Sequence, residues 1–265
     1  MFSIEIEGPP EQNEMLIAEL WAEGSAGIVE LAGGRLRAFF DDELDCAALV
    51  DRFQAASWRR EEPHDWVAES RADWEPLMVG KRFFLVPEWR SDPAPEGRFR
   101  IVVNPGMAFG TGRHETTRLC LEALETYVRP GVRMLDVGTG AGILARAALL
   151  LGAGPVWACD VDPEAVAVAR ANAVPNLFIG SVHAVRSGAA GLIAANISPE
   201  AVIHLAPDLL RCLAPGGLAL LSGFERHEAP AVAAELERRG GTVHEARYEG
   251  DWALLAVGGK LVGGV

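Results

Sequence analysis

One stretch constrains this chain more than any other: Met134-Leu135-Asp136-Val137-Gly138-Thr139-Gly140-Ala141-Gly142-Ile143-Leu144. A short apolar run carries an acid near its end, three glycines alternate with small residues, and a helical pattern follows. This order predicts a buried strand, a tight turn and a helix start, an arrangement that lets backbone approach a nucleotide-like ligand. The spacing is G-x-G-x-G, because Ile143 stands where the dinucleotide fingerprint would place its last glycine. A second apolar run, Val156-Trp157-Ala158-Cys159, closes on another acid, Asp160.

Strand, turn and helix patterns then repeat along the chain. Strands are predicted at 133–137, 155–160, 177–180, 192–195 and 218–222, with helices at 142–151, 163–172 and 199–212. Pro163 suits a first helical turn behind Asp162 as cap, and Ser198 caps the helix that starts at Pro199. Such alternation implies a parallel sheet covered on both faces, with ligands outside the carboxyl ends of its strands. After a helix at 227–239, the runs 242–248 and 252–257 are joined only by Glu249-Gly250-Asp251, which forces an antiparallel hairpin. A parallel sheet ending in that hairpin is the seven-stranded methyltransferase arrangement, whereas a dehydrogenase sheet continues parallel.

The chemistry expected at those carboxyl ends follows from residue type. Asp160 can accept hydrogen bonds from ribose hydroxyls. Asp136 steadies the glycine turn or meets a ligand ammonium group, and Gly138 and Gly140 supply close backbone. Gly180-Ser181 can admit the edge of a base. Asn196, in Ala195-Asn196-Ile197, offers one acceptor and two donors with no charge to desolvate, so it can hold an incoming amine.

Upstream, strands at 81–87 and 98–103 lead into Asn104-Pro105-Gly106-Met107-Ala108-Phe109-Gly110-Thr111-Gly112-Arg113-His114-Glu115-Thr116-Thr117. Apolar Met107 and Phe109 set among loop glycines read as a lid over a ligand. A helix follows at 115–127; Thr116 or Thr117 could be an ordinary cap, but a cap would not need Gly110-Thr111-Gly112 before it. His114 is a candidate base or, more simply, an orienting donor.

The first sixty residues read β-α-β-β-α-β: strands at 2–7, 27–31, 35–40 and 58–62, helices at 11–23 and 44–56, and a hairpin at Gly33-Gly34. The second helix is expected to begin beside Asp41-Asp42. This is the order of a ferredoxin-like sandwich. Residues 61–80 read as a connector, with a short exposed helix from Trp66 to Trp74 ended by Pro76. His64 has no companion at metal-site spacing, so no metal is expected.

Composition narrows the class. A formal net charge of −13 argues against loose nucleic-acid binding through a global positive field and suits a basic partner. The chain has no apolar stretch of about eighteen residues and no basic leader, so neither membrane insertion nor secretion is expected. Cys46, Cys120, Cys159 and Cys212 are scattered without a C-x-x-C pair, which predicts buried thiols in a reducing cytoplasm.

The lid loop, together with Leu135-Asp136-Val137-Gly138-Thr139-Gly140-Ala141-Gly142, Asp160-Val161-Asp162-Pro163, Ala195-Asn196-Ile197 and Glu249-Gly250-Asp251-Trp252, resembles the PrmA family, the methyltransferases of large-subunit ribosomal protein L11. The resemblance covers essentially the whole chain. It implies methyl transfer from S-adenosylmethionine to lysine side chains and the N-terminal amine of that protein, leaving S-adenosylhomocysteine. By matching position, Thr117, Gly138, Asp160 and Asn196 would contact the cofactor, while Phe109 and His114 would line the methyl-transfer channel. It also implies residues 1–60 as a substrate-recognition domain, a connector at 61–80 and a catalytic domain at 81–265, in a monomer. Two departures bear on the adenine edge: Val182–Gly191 is shorter than the family pattern, and Gly191-Leu192 replaces the acid expected before Ile193. The competing readings are a methyltransferase of a nucleic acid or small amine, an NAD-linked dehydrogenase, and a non-catalytic binding module.

Overall fold

The computed structural model describes residues 1–7, 13–31, 33–61, 74–104 and 112–259. The helix expected from Trp66, His64 and most of the lid loop, Phe109 included, lie outside them. The chain divides into two compact units, 1–73 and 74–265.

In the first unit, β1 (Phe2–Ile6), α1 (Asn13–Ala22), β2 (Gly27–Glu30), β3 (Leu36–Phe40), α2 (Cys46–Arg52) and β4 (Ser57–Arg60) follow in the expected order. The sheet runs β2-β3-β1-β4, every pair antiparallel. Period-two alternation sends Phe2, Ile4 and Ile6 into a core with Leu20, Leu36, Phe40 and Leu49. The register sets Phe2 opposite Phe40, and their rings stack with centroids 5.7 Å apart. On the opposite face Glu5 pairs with Arg37. Gly33 and Gly34 both take positive φ, +82° and +77°, the conformation that a tight hairpin needs and that other residues resist.

The start of α2 differs from expectation. Asp45, not Asp41 or Asp42, is the cap, and its Oδ1 accepts from Ala47 N at 3.0 Å and Ala48 N at 3.2 Å. Asp42 instead pairs with the N-terminal amine and Arg60. Three aspartates in five residues offered three possible caps, and pairing across the sheet removed one of them.

The second unit holds β8 (Met134–Val137), β9 (Val156–Asp160), β10 (Leu177–Ile179), β11 (Ala190–Asn196), β12 (Leu213–Glu225), β13 (Gly241–Glu249) and β14 (Trp252–Gly259). They form one seven-stranded sheet in the order β10-β9-β8-β11-β12-β14-β13. The first five are parallel, and β14 lies antiparallel to both neighbours, as the brief connection after β13 requires. One face packs on α3 (Glu115–Tyr127), α4 (Ile143–Leu150) and α5 (Pro163–Ala171) through Leu121, Leu124, Leu144 and Met134. The other packs on α6 (Pro199–Cys212) and α7 (Ala229–Arg238) through Leu135, Ile193, Leu221 and Phe224.

A small second sheet joins β5 (Leu77–Val79), β6 (Phe83–Pro87) and β7 (Phe99–Val103). β5 falls inside the stretch read as connector. Its turn into β6 is held by Glu125 of α3, whose carboxylate accepts from the backbone of Lys81 at 3.0 Å and Arg82 at 2.7 Å. All four cysteines are free thiols; three are buried, while Cys46 is only partly covered.

Candidate active site

The parallel strands β8, β9, β10 and β11 end on one edge of the sheet, and that edge collects the residues singled out by sequence. Asp136 is 1% exposed near the end of β8. Its Oδ2 accepts from Thr139 Oγ1 at 2.7 Å and from Ala145 N at 3.1 Å, so one oxygen ties the glycine turn to the first turn of α4. The other oxygen, Oδ1, is buried without a partner. Burial pushes this carboxyl up to about 6; the Thr139 and Ala145 hydrogen bonds oppose the rise, and the charge of Asp160 adds to it.

The glycine turn needs its glycines. Gly138 sits at φ +70°, its N–H donates to Cys159 O at 2.9 Å, and a Cβ there would collide with Cγ2 of Ile197. Gly142, at φ +81°, opens α4 as a cap without a side chain, and a Cβ would collide with Val174. The turn therefore lies against Ile197, the residue after Asn196, with bare backbone at the amino end of a helix.

Asp160 ends β9 beside that turn. Its Oδ2 accepts from Gly140 N at 2.9 Å and its Oδ1 from Asp162 N at 3.1 Å. Each oxygen keeps a further lone pair for a ligand hydroxyl. Asp162 caps α5 as expected, accepting from Glu164 N at 2.8 Å, so Asp160 is not needed as a cap. Ser198 likewise caps α6 through Ala201 N, leaving the Asn196 side chain free of that role.

Asn196 ends β11 and its Nδ2 donates to Thr117 Oγ1 at 3.4 Å, which joins β11 to the first turn of α3. Thr116 and Thr117 are buried within α3 and neither is its cap. The cap is His114: Nδ1 accepts from Thr116 N at 3.3 Å and lies 2.8 Å from Thr116 Oγ1. The His114 ring meets Trp252 edge to face with centroids 4.4 Å apart. Arg118, one turn along, binds Glu249 at 2.7 Å.

The turn between β13 and β14 is thus bound to the start of α3, a link that sequence reasoning missed. The Glu249-to-Trp252 motif was its only local trace, because a contact between residues so far apart leaves no periodic signal. Asp136, Gly138, Gly140 and Asp160 come together around the glycine turn, and Asn196, Thr117 and His114 around the start of α3. Among the described residues no group of three or more His, Cys, Asp or Glu side chains could hold a metal ion.

A doubly wound sheet closed by an antiparallel hairpin, with a glycine turn between two acids at its carboxyl edge, defines a methyltransferase rather than a dehydrogenase. The family model for "Ribosomal protein L11 methyltransferase (PrmA)" matches residues 11–259. The chain belongs to that family, whose cofactor is S-adenosylmethionine. It is 36% identical to the ribosomal protein L11 methyltransferase of Thermus thermophilus over 266 residues, covering 97% of this chain and 100% of that one. With the corresponding protein of Pelotomaculum thermopropionicum it shares 43% over 209 residues, 76% of this chain and 68% of the relative. Among solved structures, the ribosomal protein L11 methylase of Lactobacillus delbrueckii subsp. bulgaricus superposes with a TM-score of 0.66 at 31% identity, covering 71% of this chain and all of that one.

Two observations fit the residues to the cofactor. The orphaned Asp136 Oδ1 lies buried beside the turn as an acceptor for an ammonium group. The turn packs this closely on Ile197 and Val174 only because Gly138 and Gly142 carry no Cβ, which leaves bare backbone at the amino end of α4.

Proposed function

We propose that the protein methylates lysine Nζ atoms and the N-terminal amine of ribosomal protein L11. The observation that carries this reading is Asn196, an uncharged amide at the end of β11, held by Thr117 and set next to the glycine turn through Ile197. Gly138 and Gly140 approach the cofactor through backbone, Thr117 lines its site, Asp160 takes the ribose hydroxyls and Asp136 the ammonium. S-adenosylmethionine supplies a methyl group already activated on a sulfonium, so the protein's task is alignment.

The amine is the harder partner. A free lysine, with a pKa of about 10.4, is neutral in roughly one molecule in a few thousand at pH 7, a cost of about 4.6 kcal/mol. A closed, partly apolar cleft lowers that pKa by disfavouring the charged form, and a neighbouring sulfonium lowers it further. Asn196 Oδ1 then accepts from the neutral amine and fixes its lone pair, with Phe109 and His114 lining the path. No dedicated base is required.

In this reading the first unit recognises the ribosomal protein, the stretch 61–80 lets one cleft serve amines at several positions, and the enzyme works as a cytoplasmic monomer. Exposed Trp21 and Trp58 in that unit, 53% and 57% accessible, supply apolar surface for a protein partner. No helix among the described residues is long and apolar enough to cross a membrane. The test is to offer labelled cofactor with purified L11, ribosomal RNA and small amines in parallel. Label entering L11 alone is expected, and label entering RNA or a small amine at the same rate would reject the substrate.

A further inference from the structure

The two faces of the large sheet are not covered alike. On the face of α3, α4 and α5 each strand from β8 to β10 has a helix over it or beside it. On the opposite face α6 and α7 cover only the β11 to β14 half. Between β10 and β11, where a third helix would lie on this face, the chain makes one 3-10 turn, Val182–Ala184, followed by the small-residue run Ser187-Gly188-Ala189-Ala190-Gly191.

What remains is a cavity of about 530 Å³ at the amino ends of β8, β9 and β11, lined by Leu135, Trp157, Phe178, Ala184 and Ala189, with Arg133 and Arg186 at its edge. The volume lies within the range of about 300–1,000 Å³ usual for small-molecule sites. It lies on the α6 and α7 face of the sheet, and from β8 and β9 it takes Leu135 and Trp157, not Asp136 or Asp160.

Three features make this a built site. The aromatic floor is open, since Trp157 keeps 49% of its surface although its neighbours Val156 and Ala158 are fully buried. The wall is fixed, because Arg211 of α6 donates to the carbonyl of Val185 at 2.8 Å, and the Cys212 thiol lies 3.4 Å from the same oxygen. The charge is one-sided: the lining contains two arginines and no acid, in a chain of net charge −13. Neither Arg133 nor Arg186 has a carboxylate partner among the described residues.

We infer that this cavity is a second ligand site, separate from the methyl-transfer cleft, for a small planar aromatic anion. Its ring stacks on Trp157 and Phe178, and its acid group meets the Arg133 and Arg186 guanidinium groups. A neutral ligand would leave both guanidinium groups unused, and a cation would be repelled.

Naphthalene-2-sulfonate is a suitable probe, with 2-naphthylmethanol and 2-naphthylmethylamine as neutral and cationic controls. Binding is followed by calorimetry and by the Trp157 indole N–H resonance, assigned with Trp157→Phe. The expected result is one sulfonate per chain, a shifted Trp157 resonance, and affinity at least about tenfold above both controls, a difference near 1.4 kcal/mol. Arg186→Glu should lower the affinity about tenfold, and Ala189→Trp should fill the cavity and abolish binding. Saturating S-adenosylhomocysteine should leave it intact, and its own binding by each variant shows that the fold survives. Equal affinity for the three probes, competition with S-adenosylhomocysteine, an unmoved Trp157, or dimerisation on addition of the sulfonate would each overturn the inference.

Discussion

The two ends of the same parallel strands have opposite characters. At the carboxyl ends of β8, β9 and β11 the polar side chains are tied to their surroundings, Asp136 to Thr139 and Ala145, Asp160 to Gly140 and Asp162, Asn196 to Thr117, while Asp136 Oδ1 is left over. At the amino ends the lining is apolar and small, and the arginines have no acid to meet. The difference teaches what each end costs to alter. Polar groups in a dry cleft fix one another's positions, so a change at one is felt by the rest. Open apolar surface beside exposed guanidinium groups tolerates substitution, because water replaces whatever is lost.

Substitutions at the two ends should therefore separate by size of effect. The largest is expected at Gly138→Val, which would force a side chain into Ile197 at a φ that β-branched residues avoid. S-adenosylhomocysteine binding by calorimetry should weaken at least about 100-fold, roughly 2.7 kcal/mol, and an affinity within about threefold of wild type would contradict the turn's role.

Next comes Asn196→Ala. Turnover at saturating cofactor should fall about 10²-fold, the usual cost of losing one positioned hydrogen-bonding group, while cofactor affinity changes far less. Full turnover would remove Asn196 from the reaction.

Asp136→Asn is expected to act in opposite directions on stability and on binding. The wild-type carboxyl has a folded-state pKa of about 6 against a reference of 3.8, so the folded state holds its proton more tightly. Ligand-free wild type should lose stability as pH rises from about 4 to about 6, by up to roughly 3 kcal/mol, and stay level above that. The variant should lack this slope and melt higher than wild type at pH 8. Wild-type affinity for S-adenosylhomocysteine, which carries an ammonium group, should improve as pH rises through about 6, and the variant's should not. Melting curves and calorimetry between pH 4 and 8 check both directions.

The smallest effect is expected at the amino ends. Arg186→Glu should keep methyl-transfer turnover within about twofold of wild type, since it lies at the far end of the strands.

Much of this arrangement was legible in the sequence. The helix at Glu115–Tyr127 and that at Pro199–Cys212 fall where their patterns put them, because strong amphipathic periodicity survives any tertiary context. The closing hairpin follows from a connection too short for a crossover. Caps were less legible. Asp162 and Ser198 stand before prolines that fix the first turn, whereas at the start of α3 Thr116 and Thr117 were the ordinary candidates and the cap is His114. A histidine cap has weak local preference and is selected here by Trp252, which lies far along the chain. The amino-end cavity left one trace, the short connection Val182–Gly191, but what that connection leaves uncovered depends on how the sheet is built.

The central claim is that the carboxyl edge of the sheet delivers a methyl group to amines of ribosomal protein L11. Mass spectrometry of L11 after incubation with the enzyme and S-adenosylmethionine, followed by peptide mapping, tests it most directly. Methyl groups on lysine Nζ and on the N-terminal amine are expected, absent when Gly138→Val replaces the wild type. Unmodified L11 under conditions where the cofactor binds, or methyl groups on atoms other than amine nitrogen, would contradict it.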